Sequence, residues 1–246
     1  MSQGRFSARR LYVRDDLAQG ANLLCDRAQT NYVRNVLRLQ RGDGILLFNG
    51  RDGEWRAELV EGAKSATQLQ VREQVRAQQA GPDIDYLFAP LKRARLDYMV
   101  QKATEMGVAR LRPVLTRRTT PERVNLARMR ANAIEAAEQC GLLRLPQLQE
   151  PERLEHAIER WDGARSLIFC DTDGQAAAPL SALLGLAPGP LALLIGPEGG
   201  FDPSEHRLLL CKPFVVRISL GPRILRADTA AIAALALINA LLGDWR

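Results

Sequence analysis

The sequence predicts an α/β protein in two parts: a small N-terminal β-barrel over residues 1–76 and a larger domain over 77–246 built on a mainly parallel sheet. Three patterns predict it. Short runs that alternate in and out with period two fill the first part. Beyond it, continuous apolar runs alternate with helical periodicities. One of them, Leu191-Ala192-Leu193-Leu194-Ile195, is too short for a typical helix and too uniformly apolar for a half-exposed strand, so it reads as a strand buried on both faces. Between the parts, the polar stretch Ala77-Gln78-Gln79-Ala80-Gly81-Pro82 has the composition of a linker.

In the first part, Leu11-Tyr12-Val13, Ile45-Leu46-Leu47-Phe48 before the Asn49-Gly50 turn, Trp55 to Val60 and Ala66 to Val71 read as strands. Asn31 to Leu39 carries Val33, Val36 and Leu37 one turn apart, a short helix with Arg34 and Arg38 on its polar side. The second part opens with the strand Tyr86 to Ala89. Leu96, Met99, Val100 and Ala103 then recur at helical spacing, and Gly107 is the stop. Leu111 to Leu115 is the next strand, and Thr120-Pro121 starts a long helix through Cys140. Ser166 to Cys170 is a further buried strand, with a polar loop from Asp171 to Pro179. Strand and helix in alternation put helices on both faces of the sheet.

Two loops stand out. Behind Ile195 runs Gly196-Pro197-Glu198-Gly199-Gly200-Phe201, where three glycines allow a sharp turn and close approach of a ligand to backbone. Asp202-Pro203-Ser204-Glu205 then starts a helix with an N-cap, a first-turn proline and a capping-box glutamate. The turn has neither the lysine and hydroxyl of a phosphate loop nor the dinucleotide spacing, and Glu198 repels phosphate. A tight strand-to-helix turn with no ligand is the plain alternative. The second loop, Leu220-Gly221-Pro222-Arg223-Ile224-Leu225-Arg226, follows another strand, Phe214 to Ser219. In parallel sheets ligands bind at the carboxyl ends of strands, so the loops after Cys170, Ile195 and Ser219 are expected to meet at one site.

This pair of loops, together with Val36-Leu37-Arg38, Gly42-Asp43 and Gln101-Lys102-Ala103-Thr104-Glu105-Met106-Gly107-Val108, resembles the ribosomal RNA small subunit methyltransferase E family of trefoil-knotted (SPOUT) methyltransferases. The resemblance implies a knotted methyltransferase domain behind a PUA-like RNA-binding domain, and S-adenosylmethionine-dependent methylation of uridine N3 in 16S ribosomal RNA. It assigns cofactor binding to Ile195, Gly196, Glu198, Gly199, Gly200, Ser219, Leu220, Gly221, Ile224, Leu225 and Arg226. Arg226 is also the candidate for stabilising the uridine anion; a phosphate anchor or an ion pair with Glu198 is the alternative. The sequence departs from the family at Asn31-Tyr32, where a histidine is frequent, and that position receives no role. A trefoil-knotted enzyme acting on tRNA or on a ribose hydroxyl, or a non-catalytic RNA-binding protein, are the rival readings.

Composition agrees with an anionic partner. The formal charge is +6, residues 1–41 hold eight arginines against three acids, and residues 92–130 hold eleven Lys or Arg against three. Arg5, Arg9, Arg10, Arg34 and Arg38 are the candidate phosphate contacts, with solvated surface arginines as the alternative for each. Cys25, Cys140, Cys170 and Cys211 are scattered, and with only two histidines no metal site is expected. No apolar run reaches membrane length, so a cytoplasmic protein with reduced thiols is expected. The longest run, Ala230 to Leu242, has Asn239 as its only polar side chain. Such a helix is either wholly buried in one domain or shared with a second copy, and the resemblance favours a homodimer.

Overall fold

The computed structural model describes residues 9–60, 67–119, 123–172 and 176–245. The chain divides into two compact units, residues 1–80 with 137–145, and residues 81–136 with 146–246.

In the first unit, β1 (Arg10–Tyr12), β2 (Asn22–Leu24), α1 (Arg27–Asn31), a π-helical turn (Tyr32–Val36), β3 (Gly44–Phe48), β4 (Glu54–Val60) and β5 (Gln68–Arg76) follow in order. The strands form a curled half-barrel in the order β1-β3-β4-β5-β2, in which only β1 and β3 run parallel. Alternate residues Ile45, Leu47, Ala57, Leu59, Leu69 and Val71 enter its core with Val33 and Leu39. The short β2 has one inward residue, Leu23, and too little alternation to be found by pattern. The expected helix over 31–39 is instead α1, capped by Asp26 and Gln29, running into the π turn. Arg38, just past that turn, lies in the left-handed region at φ 55°, which is uncommon for a residue other than glycine. The expected strand start Ala66 lies outside the described residues.

The second unit contains β6 (Ile84–Phe88), α2 (Arg93–Glu105), β7 (Arg110–Leu115), α3 (Leu126–Cys140, whose last turn counts with the first unit), β8 (Gln147–Leu148), β9 (Glu152–Arg153), α4 (Leu154–Glu159), β10 (Ser166–Cys170), α5 (Pro179–Leu184), β11 (Leu191–Ile195), α6 (Pro203–Leu210), β12 (Val215–Ile218) and α7 (Ala227–Leu241). Its sheet has the order β12-β10-β11-β6-β7-β8, every pair parallel. All five residues of β11 are buried because successive side chains enter different cores. Leu191, Leu193 and Ile195 face the α2/α7 side; Ala192 and Leu194 face the α4/α6 side. The helix expected from Thr120-Pro121 begins at Leu126, and those two residues lie outside the described ones. The end of β12 is flanked on both sides: Ile218 pairs with Cys170 of β10 and with Ala177 of the segment leaving β10.

Candidate functional site at the carboxyl edge of the sheet

β12, β10 and β11 are neighbours, so the loops after Ile218, Cys170 and Ile195 leave the same edge of the sheet. Asp171 ties them together. Its buried carboxylate lies 2.7 Å from His206 Nε2 on α6 and accepts from Arg217 Nε on β12 at 2.6 Å. The thiol of Cys170 just before it is pushed up to about 12 by burial and by Asp171, so it stays protonated and is no nucleophile.

The glycine-rich turn is shaped by its own chain as much as by any ligand. A Cβ on Gly196 would stand 2.4 Å from the Phe201 ring, which itself packs edge-on against Phe169. Gly200 has φ 71° and Gly221 φ 100°, and at both the space a Cβ would fill is empty. Gly199 has only the Arg118 side chain near, at 3.9 Å. Ile195 is a core side chain, so only its backbone is at hand, and its carbonyl already accepts from Ala89 N. The missing side chains leave room for a ligand to approach the chain here, although Gly200 N already donates to Pro197 O at 2.8 Å.

Two further segments, unforeseen from the sequence, hold this turn. From the segment after β7, Arg117 N donates to the buried Glu205 carboxylate at 2.7 Å, and Arg118 Nη1 donates to the Gly199 carbonyl at 2.9 Å. From the first turn of α2, Arg95 pairs with Glu198. The alternative reading of Arg226 as an ion-pair partner of Glu198 is not met: Glu198 pairs with Arg95. These arginines belong to the basic run 92–130, whose charge was visible but whose aim was not. Glu205 was legible only as a cap.

In the second loop Leu220 and Leu225 are half-buried against the core, while Ile224 is 89% exposed. Ser219 N donates to Ala177 O, and its hydroxyl accepts from Gly221 N. Arg226 is the N-cap residue of α7; its side chain is exposed and makes no hydrogen bond or ion pair with the described residues.

The five N-terminal arginines fare differently. Arg5 lies outside the described residues. Arg9 and Arg38 are exposed, and Arg34 is half-buried with Nε donating to Thr67. Arg10 is not a phosphate contact: it is 5% exposed, pairs with Glu54 at 2.6 Å, stacks over Phe48 at 4.3 Å and donates to the carbonyls of Ala137, Glu138 and Leu142. All three nitrogens of its guanidinium donate within the fold. Among the described residues no three His, Cys, Asp or Glu side chains gather as metal ligands do, and no helix is long and apolar enough to cross a membrane.

The space left at Gly199, Gly200 and Gly221, the apolar Leu220, Ile224 and Leu225, and the exposed Glu198 and Arg226 suit a ligand with an aromatic base, hydroxyls and a zwitterionic end. Comparison with known proteins points the same way. A family model of the RNA methyltransferase domain matches residues 78–239, and one of the RNA methyltransferase PUA domain matches residues 24–71. The ribosomal RNA small subunit methyltransferase E of Rickettsia conorii is 30% identical, covering 96% of both chains; that of a Synechocystis species is 35% identical, covering 96% of this chain and 78% of its own. The crystal structure of a protein of the same name from Neisseria gonorrhoeae, bound to S-adenosyl methionine, superposes with a TM-score of 0.87 at 25% identity, covering 97% of this chain and 100% of its own. A Legionella pneumophila structure with the cofactor SAM bound gives 0.86 at 28% identity, covering 96% and 99%. The chain therefore belongs to the ribosomal RNA small subunit methyltransferase E family, an RNA methyltransferase domain of the SPOUT kind joined to a PUA domain.

Proposed function

We propose that this protein is an S-adenosylmethionine-dependent methyltransferase that modifies N3 of a uridine in 16S ribosomal RNA, in the cytoplasm and as a homodimer. The observation that carries the reading is that two glycine-containing loops leave the same edge of the sheet, after β11 and after β12 on either side of β10, with an unpaired arginine on the second. S-adenosylmethionine supplies an already electrophilic methyl group when bound. The chain's own work is to bind, orient and balance charge. Backbone groups of 196–200 and 219–221 hold the ligand's polar edges, and Leu220, Ile224 and Leu225 cover its apolar faces. The exposed Glu198 carboxylate faces hydroxyls or positive charge. As N3 gives up its proton, negative charge spreads onto the flanking carbonyl oxygens, and the Arg226 guanidinium, held at no internal partner, is free to stabilise it. The trefoil knot belongs to the same reading, supported by the seat of Ile218 between Cys170 and Ala177.

Dimerisation is supported by α7. Ala230, Ala231, Ala234, Leu235, Ile238 and Asn239 are buried in the chain's own core, whereas Ile232, Ala233 and Ala236 remain half-exposed. Leu180 and Leu184 of α5, which packs on α7, are also exposed. A second copy is the natural cover for small apolar residues in that position. Calorimetry with S-adenosylmethionine, and mass spectrometry of ribosomal RNA from a strain lacking the protein, test the function. Full retention of methylated uridine in 16S RNA of that strain would refute it.

A further inference from the structure

At the carboxyl ends of β6 and β7 the second unit opens a groove of about 1300 Å³. Its floor is apolar, formed by Leu91, Leu96, Leu115, Leu126 and Met129. The charges around it do not cancel. Arg128 and Asp97 neutralise each other at 2.5 Å, with Asn132 also donating to Asp97. That leaves Arg93 and Arg123 on the rim, with Lys92 beside them, all exposed and none paired with the described residues. Among the described residues that line the groove, exposed Glu150 is the one unpaired carboxylate against these cations. Cations so placed repel one another and gain by meeting an anion from outside. The groove exceeds the usual size of a small-ligand pocket, so a length of polymer fits it better than a metabolite.

We propose that this groove binds a single-stranded segment of the RNA substrate, with phosphates on Lys92, Arg93 and Arg123 and base faces on the apolar floor. The proposal rests on the RNA methyltransferase reading above and extends that site. The link is Lys92, next to Arg93 of the rim, which lines a smaller hollow together with Arg95 and with Glu198 of the glycine-rich turn. A protein partner is disfavoured because the rim presents like charges with no alternating carboxylates to match a mixed surface.

The test uses the full chain and the double variant Arg93→Ala with Arg123→Ala, with Arg93→Lys plus Arg123→Lys as control. Anisotropy with a labelled single-stranded oligouridine across a salt series reads the groove. The alanine pair is expected to lose about tenfold in affinity and to lower the log–log salt slope by about 1.4, two phosphates at roughly 0.7 each. The lysine pair keeps the slope, and affinity for S-adenosylmethionine and thermal stability stay unchanged. Unchanged RNA affinity and slope in the alanine pair would overturn the proposal. Failure of the wild-type chain to bind S-adenosylmethionine would sink the methyltransferase reading alone, because the RNA slope judges the groove separately.

Discussion

Replacing Glu205 by alanine is expected to cost both stability and cofactor affinity. The carboxylate is 1% exposed; one oxygen accepts from Arg117 N at 2.7 Å and the other from Asp202 N at 2.9 Å. The first bond fastens the segment after β7 to α6, and the second closes the capping box that starts α6 behind the glycine-rich turn. Hydrogen bonds to a charged acceptor contribute about 1.5–3 kcal/mol each, so Glu205→Ala is expected to lose roughly 3–5 kcal/mol once water reaches the stranded N–H groups. Glutamine keeps one acceptor oxygen but turns an NH₂ toward a backbone N–H, so its loss is expected to be about half as large. A domain stability of about 5–15 kcal/mol makes either loss visible in urea unfolding followed by circular dichroism. The order wild type, Glu205→Gln, Glu205→Ala is expected to repeat in calorimetry with S-adenosylmethionine, since the freed turn no longer presents a fixed backbone. A loss below about 1 kcal/mol for the alanine variant would refute the argument that this carboxylate holds the turn.

Two glycines of the turn are expected to separate folding from binding. Gly196→Ala drives a Cβ into the Phe201 ring and is expected to destabilise by about 1–3 kcal/mol, whereas Gly199→Val leaves the melting temperature near wild type and abolishes S-adenosylmethionine binding; unchanged affinity in calorimetry would contradict the second half. Arg9→Ala is expected to weaken RNA binding and flatten its salt dependence with the fold intact, while Arg10→Ala strands buried Glu54 beside Arg76 and is expected to cost about 3–5 kcal/mol, read by chemical denaturation. Glu54 also sets an acid limit. Burial pushes its carboxyl up, but hydrogen bonds from Arg76 and Arg10 outweigh burial and hold it below its ordinary value of 4.5. Its stabilising contribution is therefore complete above about pH 4.5 and is lost as pH falls through the lower folded-state value; stability curves of wild type and Glu54→Gln that fail to converge in acid would show the pairing is not responsible. Ala236→Arg is expected to give a monomer without methyl transfer in sedimentation and activity assays, and an active wild-type monomer at micromolar concentration would remove the dimer from the mechanism.

Strands were legible where one physical signal dominated. β10 and β11, and β6 over Tyr86–Phe88, announce themselves as apolar runs because both faces are covered, whereas β7 interleaves Arg110 and Arg112 with its buried residues; strand order along the chain was enough to bring three loops to one edge. β2, β8 and β9 are two or three residues long and carry no period at all. For the site, composition located the two loops but not their supports. Arg95, Arg117 and Arg118 read as one more basic stretch, since what distinguishes them is the direction in which the fold points them. Arg10 failed for the opposite reason. A guanidinium looks solvated in sequence, and only the distant carbonyls of 137–142 make it an interior group.

Those carbonyls bear on how the chain is made. Phe48 packs with Ala137 and Leu143, and Arg76 reaches the Gly141 carbonyl, so the half-barrel is finished by residues encoded well downstream of its own strands. A nascent chain that has just released residue 80 from the ribosome holds an aromatic side chain without part of its cover and two arginines that have Glu54 but lack their carbonyl acceptors. The first unit thus matures only after much of the second has been translated. A fragment ending at the linker inherits the same incompleteness permanently, and separating the two units at the gene level calls for grafting 137–145 back onto the first.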